Sequence, residues 1–221
     1  MKRITLLIYL LFLVTSCEIQ YDGETKIAVI GKIIDENGKP LSGKDIQIIV
    51  QGDGGLFSAN SDLISFGESD QNGNFTLIFP TPQGEYNFSI SINNPQKQTS
   101  EFQTQEIIAN KNNFEDYKLD LNDITLYKKE SITTLRLILN KTSTNKQLTR
   151  IQIEGKVFND FIDLNPIANN PNNLQTNYNL LKNQTIVLKY TIIDYSNVAT
   201  PTINSVSIPI ANDAVNYTIT Y

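Results

Sequence analysis

The chain has 221 residues, 40% hydrophobic and 19% charged, a balance that supports a packed core and excludes wholesale disorder. Eighteen Lys and Arg face 23 Asp and Glu, a formal charge of −5, which makes the chain a poor candidate for binding a nucleic-acid backbone, since that needs clustered basic residues. With no histidine and one cysteine, Ser-His-Asp and Cys-His catalysis, the common zinc sites and an intramolecular disulfide are excluded too.

The first element is an address. Lys2-Arg3 precedes a predominantly apolar run from Ile4 to Val14, which has the length of a signal-peptide core. It falls short of the roughly 18–20 residues that span a bilayer as a helix. The run ends Val14-Thr15-Ser16-Cys17, an aliphatic residue, two small ones and the chain's single thiol. This ending resembles the lipobox of bacterial lipoproteins. The resemblance implies residues 1–16 as a signal peptide, cleavage before Cys17, and acylation of Cys17 on sulfur and on its new amino group. A triacylated Cys17 would be a stable membrane anchor, since two or more chains hold where one does not. Cleavage would remove Lys2 and Arg3 and leave 16 basic against 23 acidic residues. Residues 17–26, polar after the cysteine, are predicted as the lipidated end and a tether. Glu18, not Asp, follows Cys17, so the inner-membrane retention signal of enteric lipoproteins is absent, and the outer membrane is the expected location.

Downstream the pattern has period two, the signature of half-buried strands. Ile27, Val29 and Ile33 share one face, as do Ile46, Ile48 and Val50; Phe75, Leu77 and Phe79; and Tyr86, Phe88, Ile90 and Ile92. Turn signals separate them at Asp35-Glu36-Asn37-Gly38, Asp70-Gln71-Asn72-Gly73 and Pro80 to Gly84. Asn72-Gly73 is predicted as the centre of a two-residue type I′ turn. Short strands so often interrupted imply an antiparallel sandwich or barrel.

Three blocks here carry a resemblance. Gly31 to Ile48, Ser69 to Leu77 and Pro80 to Ile90 look like the opening, the T-D-x-N-G-x-F-x-L hairpin and the P-x-G-x-Y strand of carboxypeptidase regulatory-like domains. The resemblance implies a transthyretin-like β-sandwich without catalytic residues of its own, a structural or docking module. It covers about Ile27 to Ile92 and extends toward Tyr127 through expected strands near 101–108 and 114–121. The stretch Gly52 to Gly67, with Asp53-Gly54-Gly55, departs from the family as an insertion. Lys32 stands on the first strand, where pilin and adhesin relatives place the lysine of an isopeptide bond. No Glu and Asn partners can be assigned, and Lys32 reads as solvent-exposed.

Tyr127 to Glu130 is predicted as a junction. Beyond it Leu135, Leu137 and Leu139 alternate, as do Ile151, Ile153 and Val157; Ile186, Leu188, Tyr190 and Ile192; and Val215, Tyr217, Ile219 and Tyr221. Asn165 to Asn179 has the composition of a long loop. The expected fold is all-β: two β-sandwich domains, transthyretin-like over 27–128 and immunoglobulin-like over 129–221.

Candidate chemistry is sparse. Asp70 to Asn74 starts like a calcium loop but lacks the downstream bidentate Glu, so a turn is expected and no metal or other cofactor. The carboxylate pairs Glu115/Asp116, Asp120/Asp123 and Asp160/Asp163 are expected on solvated strand ends; a glycosidase would need two of them roughly 5–10 Å apart in a cleft. Tyr178, Tyr190, Tyr195, Tyr217 and Tyr221 could stack on sugars, although at least three of the five fall on core-facing positions. The resulting expectation is a non-enzymatic, lipid-anchored envelope protein, a nutrient-uptake accessory or adhesin. Its expected partners are the membrane through Cys17 and an outer-membrane transporter or an extracellular glycan or protein. The alternative is a carboxylate-dependent hydrolase.

Overall fold

Strands follow one another almost without interruption in the computed structural model, which describes residues 19–52, 61–93, 100–166, 174–196 and 199–221. In chain order these are β1 (Tyr21–Asp35), β2 (Asp45–Gln51), β3 (Ser61–Glu68), β4 (Asn74–Pro82), β5 (Asn87–Ile92), β6 (Gln105–Asn110) and β7 (Lys118–Leu126). Then come β8 (Ile132–Asn140), β9 (Lys146–Glu154), β10 (Val157–Phe158), β11 (Phe161–Asp163), β12 (Asn177–Leu181), β13 (Gln184–Asp194), β14 (Thr200–Ile210) and β15 (Val215–Thr220). Short 3-10 turns at Lys111–Asn113 and Lys129–Ser131 are the only helical elements among the described residues. The chain is all-β.

Two sheets enclose the first core, one in the order β4-β1-β7 and one in the order β11-β6-β5-β2-β3. The alternating residues meet between them: Val29, Ile33, Ile46, Ile48, Val50, Ile90 and Ile92 are fully buried, with Phe79 and Phe88 nearly so. Each such side chain contributes roughly 1.5–3 kcal/mol on removal from water. The second core lies between the sheets β10-β12-β8-β15 and β14-β13-β9, around Leu135, Leu180, Ile186, Leu188 and Ile219. The expected antiparallel order is not complete. β1 runs parallel to β7, β8 to β15 and β6 to β11, pairings that require long crossover connections in place of hairpins.

Several sequence expectations shift. The segment read as tether is strand from Tyr21 onward: Tyr21 and Asp22 pair with Pro82 and Thr81, and Ile19 is already buried. Ile27 is preceded by polar residues with no apolar alternation, so the period-two signal misses the strand's first six residues. Asn72-Gly73 is not a type I′ turn. Gly73 N–H donates to the Asp70 carbonyl (3.0 Å), and only Gly73 has positive φ, +79°. The Asp70 carboxylate accepts the N–H groups of Asn72 and Asn74, both at 2.8 Å, which makes a longer loop the better-satisfied one. Asp35 to Lys39 repeats this loop: Gly38 has φ +79°, and Asp35 accepts from Asn37 and Lys39. Those bonds, the Lys39 N–H first, hold the Asp35 carboxyl below the usual carboxylate range. Lys32 is half-buried, level with Asn74 on β4 and Asp123 on β7.

The junction at 127–130 is pinned as well. Gln103 N–H donates to the Tyr127 carbonyl, Lys129 N–H donates to that of Glu101, and Lys128 pairs with Glu101 at 3.3 Å. Residues 161–164, which the sequence division gives to the second domain, lie against the first core. Phe161–Asp163 pairs with Glu106–Ile108, and Ile162 and Leu164 pack on that hydrophobic cluster. Val157-Phe158, three residues earlier, pairs with β12 of the second unit. One short segment thus hydrogen-bonds into both.

A candidate binding cleft

Cys17, the signal peptide and Asp53-Gly54-Gly55 lie outside the described residues. Among the described residues no group of three or more His, Cys, Asp or Glu is arranged to hold a metal ion, and no helix is long and apolar enough to cross a membrane. Asp70 is engaged by its own loop.

The carboxylate pairs separate into different settings. Asp160 contributes its backbone carbonyl to Glu106 N–H, and Asp163 accepts the Asn165 N–H. Asp120 and Asp123 flank a bulge at which Asn122 takes φ +54°, and the Asp120 carboxylate accepts the Asn122 N–H. Both aspartates line a cleft of about 360 Å³ with Gln105, Tyr127 and Asn159. Glu115/Asp116 forms part of a two-residue turn, and that turn borders a larger cleft.

The turn is Glu115–Lys118. Glu115 and Lys118 exchange both backbone hydrogen bonds at 2.9 Å, which forces the two residues between them into positive φ: Asp116 at +48° and Tyr117 at +64°. Glycine, asparagine or aspartate is the usual occupant of such positions; the bulky Tyr117 at the second of them stores strain. The conformation is held from outside, since Ala28 N–H of β1 donates to the Tyr117 carbonyl (2.9 Å). Tyr117 itself is 65% exposed.

Tyr117 and Asp116 line a cleft of about 430 Å³ at one end of the first sandwich, together with Ile27, Thr81, Tyr86, Phe88, Lys111 and Phe114. That volume falls in the roughly 300–1,000 Å³ range of ligand sites. An aromatic series supports it from the core: Phe79 to Phe88 with centroids 5.9 Å apart, and Phe88 to Phe114 at 5.2 Å. The 3-10 turn that carries Lys111 is closed by a capping box between Asn110 and Asn113, and Asn113 exchanges side-chain amide bonds with Asn165. Lys111 is ion-paired with Glu85 at the rim. Thr81 lines another wall, and its hydroxyl is buried without a hydrogen-bond partner among the described residues. Nearby, Tyr21 donates to Asp62 (2.7 Å), and burial followed by this bond raises its hydroxyl pKa well above the tyrosine range.

A second exposed surface lies on the outer face of the five-stranded sheet. The pairing slips between Ile48 and Ile49, leaving Ile64 as the extra residue, so Leu63 and Phe66 emerge on the same outer side at 50% and 76% exposure. Nothing in the structure shows what covers it.

The expectation that at least three of the five candidate stacking tyrosines face the core is met. Tyr178, Tyr190, Tyr217 and Tyr221 pack on the second core, and only Tyr195, 51% exposed, is free of it. Tyr86 alternates with Phe88 as a core-facing strand residue would, and Phe114 and Tyr117 fall within the strand expected near 114–121; β5 begins only at Asn87 and β7 only at Lys118, and Asp-Tyr is no turn signal.

No protein-family model matches the chain, and no curated protein does. Solved structures give distant likenesses. The shaft pilin of Lactobacillus rhamnosus GG is 11% identical over 89% of this chain and 98% of its own, with a TM-score of 0.32. The tip fimbrial protein Mfa3 of Porphyromonas gingivalis is 12% identical over 83% of this chain and 82% of its own, at 0.29. A 3-chlorocatechol 1,2-dioxygenase of Rhodococcus opacus 1CP is 13% identical over 51% of this chain, at 0.33. The match spans 62% of the dioxygenase. All three scores fall below 0.5, and nothing of those proteins' chemistry passes to this chain.

Proposed function

We propose that the chain is a non-enzymatic binding module of the cell envelope, anchored at the outer membrane through acylated Cys17 and serving uptake or adhesion. Its two sandwiches are joined by residues 157–164 and divided in sequence near 128/129. The observation that carries the binding role is Tyr117, an exposed ring at a strained positive φ beside an aromatic cleft. Strain of this kind, of order 1–3 kcal/mol per residue, persists where the surroundings over-determine it, and it clusters at ligand sites. The lipobox-like Val14-Thr15-Ser16-Cys17 supports the anchor.

The test uses the purified full chain in detergent, titrated with a panel of neutral oligosaccharides and extended peptides. Saturable binding of one of them, lost in Tyr117→Ala at unchanged melting temperature, is the expected result. Binding unaffected by Tyr117→Ala, or no binding across the panel, overturns the assignment.

A further inference from the structure

We propose that this end of the first sandwich is seated on the membrane, the strand ends beside the cleft resting against a layer of zwitterionic lipid headgroups. The inference rests on the Cys17 anchor of the reading above, and it sets the cleft at the bilayer surface. The tether comes first. Ile19 is buried in the first core, the Gln20 carbonyl accepts the Gln83 N–H at 2.8 Å, and the Tyr21 hydroxyl donates to Asp62. Folded structure therefore starts two residues after Cys17, a span of at most about 7 Å. A tether over all of residues 17–26 would have reached roughly 30 Å and left the body free to turn. Each headgroup layer is about 5–8 Å deep, so acyl chains on Cys17 hold Ile19 near its outer boundary.

The second observation is what lies beside Ile19. Tyr21 pairs with Pro82 and Asp22 with Thr81, and both partners line the cleft. Gln83 and Gly84, which follow them, are exposed. The Asp35–Lys39 and Asp70–Asn74 loops close the opposite end of these strands, and the nine residues of β4 put roughly 26 Å between the two ends. The anchor thus brings the cleft end to the bilayer and keeps the loop end away. Tyr86 at the cleft is half-buried and Tyr117 is 65% exposed. Tyrosine has an apolar body and a polar tip, which suit the layer between hydrocarbon and water. A soluble partner could use the same rings, but the bilayer is brought to them by the chain's own covalent connection.

Charge selects the lipid. Lys111, Glu85 and Asp116 at the cleft sum to −1, and Asp22, Glu24 and Lys26 at the start of β1 to another −1. Attraction to anionic headgroups needs clustered Lys and Arg, which these groups do not supply. A short tether and tyrosine rings need no opposite charge, so zwitterionic headgroups suffice.

The test uses the isotopically labelled protein purified from membranes, in phosphatidylcholine nanodiscs with a nitroxide on a fraction of the headgroups. Mass spectrometry of the same sample reads acylation of Cys17 independently. Amide line broadening is expected to be strongest at Gln83 and Gly84, weaker at Tyr117 and absent at Gly38 and Asn72. A Gly-Ser insertion of about ten residues between Glu18 and Ile19 should reduce the broadening at Gln83 and Gly84 at least threefold. Acylated protein with equal broadening at both ends, or with the strongest at Gly38 and Asn72, overturns the seating and leaves the anchor standing. Broadening unchanged by the insertion overturns it too, because tether length would then not hold this end down. An unacylated Cys17 overturns the anchor and the seating together.

Discussion

A Cβ added to Gly73 would stand 2.4 Å from the carbonyl oxygen of Ile33, inside any real contact distance. The same carbonyl accepts the Leu41 N–H, and the Gly73 carbonyl accepts the Ile33 N–H, so the loop is locked onto β1. Gly38, in the twin loop with the same φ of +79°, meets nothing within 4 Å. Gly38→Ala is therefore expected to cost about 1 kcal/mol, the price of a left-handed alanine alone. Gly73→Ala should cost at least about twice that, because backbone must also move. Urea denaturation of both variants measures the difference, and equal losses would show that the Ile33 contact is immaterial.

The turn at Asp116-Tyr117 gives the opposite kind of prediction. Replacing the pair by Asn-Gly (Asp116→Asn with Tyr117→Gly) supplies residues that adopt positive φ readily. The double variant should be more stable by about 1–2 kcal/mol and should not bind ligand. A variant no more stable than the parent would mean that the turn stores no strain.

Four tyrosines, Tyr21, Tyr127, Tyr178 and Tyr190, have hydroxyl pKa values raised, chiefly by burial; at Tyr21 the bond to Asp62 adds to it. The folded pKa lies above the unfolded one, so folding favours the protonated hydroxyl. That stabilisation is complete below about pH 10 and is lost as pH rises through the folded values. Urea midpoints should thus be flat from pH 7 to 9 and fall above 10, less steeply in Tyr21→Phe. A midpoint independent of alkali would contradict the assignment.

Ile162 and Leu164 test the joining segment. Each packs partly buried against the first core, although both come from the second half of the chain. Ile162→Ala and Leu164→Ala should each destabilise the first unit by about 1–2 kcal/mol, below the full-burial cost of such truncations. Hydrogen exchange reads this unit by unit: protection should drop across β2, β5 and β6. Loss confined to β12 and β13 would place these residues in the second unit instead.

The sequence makes much of the core legible and little of the site. Val29, Ile33, Ile46, Ile48, Phe79, Ile90, Leu135, Ile186 and Leu188 alternate in the primary structure and are buried as that alternation requires, because a strand's period of two maps directly onto one face. Strand direction was not readable. Whether β1 meets β7 parallel or antiparallel depends on crossovers that carry no local pattern. β11 has three residues, too few for a period, so its placement against β6 left no trace in composition. The cleft depends on Ala28 holding the Tyr117 carbonyl across 89 positions and on Asn165 clasping Asn113. Long-range contacts of this kind leave no local signature.

Amide chemical-shift mapping of the isotopically labelled full chain, with the tightest-binding member of the oligosaccharide and peptide panel added stepwise, tests the central assignment most directly. The account predicts that the largest shifts fall on Thr81, Tyr86, Lys111 and Phe114 to Tyr117, saturating together. Shifts centred on Leu63, Phe66 and Phe161, or on the strands of the second unit, would contradict it.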